Sequence, residues 1–159
     1  MEDLRFITKD AAFQYKGAGI IIENGHLLMA TNDAAHYYYP VGGAVRFGEK
    51  AHDAAIREIY EETGLLYEIG RLAFVCEKTL TDKTVNNGSL AHEIALYFLM
   101  KPKGFMAEIK SDSYGFCGNK ERFEWLSLDE LGKHKLYPEF FVNKLNNISE
   151  DIEHIVAFI

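Results

Sequence analysis

Apolar and polar positions change rhythm several times along the chain, and each change marks an element. Residues 17–32, GAGIIIENGHLLMATN, hold one apolar stretch from Ala18 to Ile22 and a second from Leu27 to Ala30, with Asn24-Gly25 between them. Asn-Gly between two apolar runs is a strong hairpin signal, because both residues accept the positive φ of a tight turn. Tyr37 to Tyr39 read as a short aromatic strand, followed by a glycine-containing loop from Gly42 to Gly48. Residues 50–63 read as a helix, with Ala51, Ala55 and Ile59 forming one apolar stripe at a spacing of four. Gly64 stands where a helix C-terminus takes a residue with positive φ. No Ser, Thr, Asp or Asn directly precedes Lys50 to cap the helix start.

Downstream, Leu72, Phe74 and Cys76 alternate within a strand predicted over 66–79. The segment 80–90 is polar and loop-like, HEIALYFLM at 92–100 is a strong strand, 111–121 is again a loop, and FEWLSL at 123–128 is one more strand. Helical pieces are predicted near 128–132 and 137–147, and the terminal HIVAFI takes no assignment. Strands mixed with a central helix and C-terminal helices predict an α/β layered domain. With no linker or repeat in sight, the 159 residues (1–159) are expected to form one domain.

Charge and cysteine usage narrow the function classes. A formal net charge of −7 argues against binding a nucleic-acid backbone, which needs a basic face. It leaves a phosphorylated substrate open, since a bound divalent cation inverts the local charge. Cys76 and Cys117 form no C-x-x-C pair and are read as reduced thiols. The N-terminus has no apolar signal core, and no apolar run reaches membrane-spanning length. These features lead us to expect a cytoplasmic protein without a nucleic-acid or membrane partner; a homodimer is left open.

The chemistry concentrates in GGAVRFGEKAHDAAIREIYEETGLL, residues 42–66. At about 100° per residue, Glu58, Glu61 and Glu62 share one arc of the helix, opposite the alanine stripe. Like charges at these spacings repel by a few tenths of a kcal/mol per pair. A divalent cation removes that cost, and magnesium typically takes a few carboxylates together with phosphate oxygens. Arg57 points to another side, where it could pair with Glu49 and hold the loop against the helix. By itself an acidic helix face is most often merely solvated.

The spacing changes that balance. Gly43, Glu49, Arg57, Glu58, Ile59, Glu61, Glu62, Gly64 and Leu65 reproduce the pattern G-x5-E-x7-R-E-U-x-E-E-x-G-U, U being a bulky aliphatic residue. Seven fixed residues at about 6% each coincide by chance roughly once in 10⁸ to 10⁹ starts. The segment therefore resembles the Nudix (MutT-type) hydrolase family. The literal motif covers 23 of 159 residues, and the preceding hairpin and the Trp125 strand also resemble the family order. The resemblance implies an α/β/α sandwich with a mixed sheet between helices. It also implies an enzyme that cleaves a diphosphate linkage in a nucleoside diphosphate derivative by attack of water on phosphorus. The cofactor would be Mg²⁺, with Mn²⁺ as a substitute. Glu58, Glu61 and Glu62 match the family's catalytic, metal-binding glutamates, and Gly42 a position whose carbonyl binds metal. Gly43, Glu49, Arg57 and Gly64 match its structural support. The chain departs from many relatives in carrying Pro40 one place early and Arg46 in place of Glu; the first affects loop shape and the second removes a carboxylate from the rim.

Other positions are weaker. Tyr37 and Tyr39 are candidate substrate contacts, although a strand through the core explains aromatics at 37–39 as well. Alternation turns Tyr38 to the opposite face, so the three cannot serve one base. Arg46, His92 and Glu93 are the remaining candidate substrate contacts, a polar strand end at the surface being the plain account of the last two. Lys78 and Lys83 flank the polar loop and read as surface lysines. Some relatives supply a further catalytic glutamate from the loop before the Trp125 strand. Glu121 is the candidate here, since Glu124 lies in the strand proper. The sequence leaves the substrate open among nucleoside triphosphates, sugar nucleotides and similar diphosphates. A non-catalytic nucleotide sensor on the same fold is the alternative.

Overall fold

A computed structural model describes residues 1–81, 90–115 and 118–158; Lys83, Cys117 and most of the 80–90 segment lie outside the described residues. The larger sheet runs β1 (Arg5–Ile7), β2 (Ala11–Ile20), β7 (Leu90–Met100), β6 (Ile69–Thr81) and β9 (Glu153–Phe158), with the short β5 (Gly42–Ala44) also on β2. It is mixed: β2 pairs with β7, and β6 with β9, in parallel, while the other ladders are antiparallel. A second sheet holds β3 (Ile22–Glu23), β4 (His26–Asn32) and β8 (Glu121–Ser127). The first and last strands thus form opposite edges of one sheet. No helix among the described residues is long and apolar enough to cross a membrane.

Asn24 and Gly25 carry φ of 49° and 74° and join β3 to β4, as the hairpin signal predicts. Helix α1 spans Ala51–Thr63; Lys50 gives no side-chain cap, and Gly64 at φ 75° closes the end by donating its N–H to Tyr60. The predicted stripe is real: Ala51, Ala55 and Ile59 are buried, joined by Ala54. The helix lies close on the sheet because β2 offers it no side chain at Gly17, where a Cβ would stand 2.3 Å from the Ala51 carbonyl oxygen. Pleat alternation then divides the interior. Ala18 and Ile20 point away from α1 into a core with Phe74, Cys76, Tyr97, Leu126, Leu131 and Phe141, while Ile21, Phe98 and Met100 join the helix stripe in a second core. A fully buried side chain such as Ile59 contributes about 1.5–3 kcal/mol.

Several expectations are corrected. Strand β2 begins at Ala11, well before residue 17. Tyr38 and Tyr39 make isolated bridges, to Leu136 and Ala30, rather than a strand, and part of the Gly42–Gly48 loop is β5. The alternation of Leu72, Phe74 and Cys76 is broken by a register shift between Leu72 and Phe74, so Leu72 faces the helix-side core and the other two the opposite one. Leu128–Lys133 is a 3₁₀ turn, α2 is confined to Phe141–Lys144, and the unassigned terminus is β9. Glu121 is not in the loop: it opens β8, opposite Asn32, and is buried.

Candidate functional site

The site is assembled by the turn from β5 into α1. Strand β5 lies antiparallel on β2, with Gly43 opposite Gly17. Glu58 of α1 lies over Gly43: a Cβ there would fall 2.5–2.7 Å from the Glu58 carboxyl atoms. Gly43 is therefore a contact requirement of the glutamate, and Gly64 a requirement of the helix end.

Arg57 binds the unit together. Its Nε donates to Glu49 Oε1 at 2.7 Å, and Nη2 donates to Glu49 Oε2 at 2.9 Å and to the Ala44 carbonyl at 3.0 Å. Glu49 Oε2 also accepts the Arg46 backbone N–H at 2.9 Å. One planar fork thus fixes loop, strand and helix. The expectation that Arg57 stays clear of the acidic face is corrected. Its Nη1 donates to Glu58 Oε1 at 2.5 Å and to Glu61 Oε2 at 3.2 Å, the second an i,i+4 neighbour on the helix. The Arg57 hydrogen bonds hold the Glu49 carboxyl below the usual carboxylate range.

The box glutamates differ in environment. Burial pushes Glu58 up, against the pull of Arg57. Glu62 is pushed well above the usual range, first by burial and then by the charges of Glu121 and Glu58; Lys16 and the Gly42 backbone amide only partly oppose this. Glu61 is half exposed, with Arg46 Nη2 at 3.8 Å from its Oε1. The partly buried Glu62, under the charge of two other carboxylates, is only partly offset by Lys16, and these hard oxygen donors suit a divalent cation such as Mg²⁺. Among the described residues no three acidic, His or Cys side chains stand close enough in this conformation to encircle an ion. Arg57 occupies an oxygen of both Glu58 and Glu61.

Glu121 lies near enough for its charge to act on Glu62. Its Oε2 accepts the Tyr39 hydroxyl at 2.6 Å and its Oε1 the Ser113 hydroxyl at 2.7 Å. Glu124, on the same strand, accepts the Tyr38 hydroxyl at 2.7 Å instead. Tyr37 is partly exposed and stands edge-on to Tyr39 and Tyr137. Glu93 lies in one cross-strand row with Gln14 and Lys78. Lys78 is not a surface lysine: it is 8% exposed, with Nζ 2.7 Å from Glu93 Oε1. Lys16, two residues along β2 from Gln14, feels Glu93, Lys78, Glu62 and Glu58 together, so this face adjoins the box glutamates. His92 turns to the other face, against Phe13, away from Glu93. The sequence reading missed Lys16, Asn32 and Ser113. The polar alternation of Gln14 and Lys16 with Phe13 and Tyr15 is the signal that would have exposed the first of them. An open depression of about 790 Å³ lies elsewhere, between His52 and Ile56 of α1 and Tyr67, Lys101 and Lys103.

Residues 14–143 match the family model of the NUDIX domain, over four-fifths of the chain. The chain belongs to the NUDIX family. Three solved structures sharing this Nudix fold are a MutT protein from Bacillus halodurans, a MutT protein from Methanosarcina mazei Go1 and an ADP-ribose pyrophosphatase from Streptococcus suis 89-1591. The first has TM-score 0.69 and 16% identity, over 91% of this chain and 89% of that one. The second has TM-score 0.63 and 21% identity, over 85% and 96%. The third has TM-score 0.54 and 18% identity, over 91% and 98%. At such identities the likeness fixes the fold. No curated protein sequence matches the chain.

Proposed function

We propose that this Nudix hydrolase cleaves the diphosphate linkage of a nucleoside diphosphate derivative, with Mg²⁺ held by Glu58, Glu61 and Glu62 and the Gly42 carbonyl. The observation that carries the reading is Glu62, partly buried and under the charges of Glu121 and Glu58, an arrangement that costs energy without a cation. When bound, the metal neutralises phosphate charge and lowers the pKa of a water. The chain's own groups do the rest. The Arg57–Glu49 fork holds the helix and the Gly42-Gly43 strand in register. Glu121 accepts the proton of the attacking water as a bridging P–O bond breaks, leaving two products that each end in phosphate. Arg46 and the Glu93–Lys78 row line the substrate side. The domain works as one unit, with β1 and β9 in the same sheet.

The test is a panel of nucleoside triphosphates, ADP-ribose and sugar nucleotides with Mg²⁺, followed by chromatography of the products and ¹⁸O-water labelling. Turnover with ¹⁸O in one phosphate product is expected. Tight binding of a panel member without turnover would instead favour a nucleotide sensor.

A further inference from the structure

Tyr39 has its hydroxyl committed within the protein. Its backbone is clamped to β4 by two hydrogen bonds with Ala30, each 2.8 Å. Two residues along β4, Asn32 stands opposite Glu121 in register. Asn32 Oδ1 accepts the backbone N–H groups of Ala34 at 3.0 Å and Ala35 at 2.8 Å. That fixes which end of the amide faces the tyrosine: Nδ2 donates to the Tyr39 oxygen at 3.1 Å. A phenol that accepts from an amide directs its own proton elsewhere, and here it meets Glu121 Oε2 at 2.6 Å. The other carboxylate oxygen is held by Ser113, whose carbonyl also accepts the Glu121 backbone N–H at 3.0 Å.

Glu121 needs such holding. Its charge acts on the partly buried Glu62 more strongly than any other neighbouring charge. Two like charges side by side repel, and an unrestrained carboxylate would turn away. Hydrogen bonds to an ionised carboxylate are roughly twice as strong as neutral ones. Burial, then the bond to Glu121, pushes the Tyr39 phenol well above its ordinary range, so it remains a donor.

We propose that Tyr39 is a positioning residue: oriented by Asn32 and assisted by Ser113, its hydroxyl holds the Glu121 carboxylate beside Glu62, facing the attacking water. The proposal rests on the reading in which Glu121 takes the water's proton. The test compares Tyr39→Phe, Ser113→Ala, Glu121→Gln and the double variant Tyr39→Phe/Glu121→Gln. Each is assayed with Mg²⁺ on the panel member that wild type turns over fastest. Glu121→Gln should lose about 10²–10⁴-fold in kcat. Tyr39→Phe should lose about tenfold or more in kcat with KM within about twofold, and Ser113→Ala a smaller share. The double variant should be no slower than Glu121→Gln alone. Mn²⁺ affinity, read by electron paramagnetic resonance, should stay within about twofold in Tyr39→Phe, since the helix glutamates are untouched. Ser113→Ala decides the matter if Tyr39→Phe fails to fold. A raised KM at wild-type kcat would make Tyr39 a substrate contact and overturn the proposal. Equal slowing by Tyr39→Phe with and without the Glu121 carboxylate would overturn it too. Wild-type turnover in Glu121→Gln would sink the reading of Glu121 itself. A slow Glu121→Gln beside a fast Tyr39→Phe and Ser113→Ala would sink only the positioning role.

Discussion

Arg57 donates to Glu49, Glu58, Glu61 and the Ala44 carbonyl with one guanidinium. Its pair with Glu49 is largely buried, the side chains being 17% and 13% exposed. Breaking a buried pair by removing one partner typically costs about 3–5 kcal/mol. Arg57→Ala should therefore lower the urea midpoint by a loss of that order and reduce kcat as well; an unchanged midpoint would remove the bracing role. Arg57→Lys should rescue little of either, because an ammonium cannot make the fork. At Gly43 the constraint is steric. Gly43→Ala places a methyl within 2.5–2.7 Å of the Glu58 carboxyl. Overpacking of this kind costs about 1–3 kcal/mol. The expected result is a stability loss of that size with a fall in kcat of more than tenfold. Wild-type kinetics would show that Glu58 can move without consequence. The spacing of the box was legible in the sequence. That Arg57 also restrains Glu58 and Glu61 was not, because helix angle alone does not say how a long side chain folds back.

At the scale of elements, helix α1, its alanine stripe and its Gly64 terminus were legible because they depend on local periodicity and backbone conformation. The edges were not. Strand β9 is a short apolar run that becomes a strand only by parallel pairing with β6, about 75–80 residues earlier in the chain. The register shift in β6 sends Leu72 and Phe74 to different cores, which alternation cannot foresee. The sequence places Glu121 in a loop because its neighbours are polar and include glycines, yet the ladder with Asn32 makes it the start of β8. Glu93 and Lys78 differ from it in being fixed by each other across β7 and β6. Glu93→Gln leaves a buried ammonium without its counter-charge, so stability should fall and KM should rise while kcat holds. A kcat loss matching that of Glu121→Gln, at unchanged KM, would put the proton acceptor on β7.

For the whole molecule, acid stability follows from carboxylates held below their ordinary range. The hydrogen bonds from Arg57 hold Glu49 down. Burial alone would raise Glu23, but the Lys103 and Gly104 amides and the Tyr67 hydroxyl outweigh it and the net direction is down. A depressed carboxylate contributes stability above its unfolded value of about 4.3, and that contribution is lost as pH falls through the folded value. Stability should therefore drop below about pH 4, and Glu23→Gln should flatten the drop. A melting temperature independent of pH across that range would contradict it. Glu62 has the opposite sign, its charged form being penalised by burial and by neighbouring carboxylates. Without metal, Glu62→Gln should melt at or above wild type.

The proposal that a divalent cation on the α1 glutamates drives the reaction is supported by the partly buried Glu62 under the charges of Glu121 and Glu58. The most direct measurement is kcat as a function of added Mg²⁺ for wild type, Glu61→Gln and Glu62→Gln, starting from protein stripped with EDTA. Wild type should be inactive without metal and recover on titration, while both variants lose orders of magnitude in kcat and keep their melting temperatures. Full turnover in EDTA, or wild-type turnover in both variants, would contradict the account.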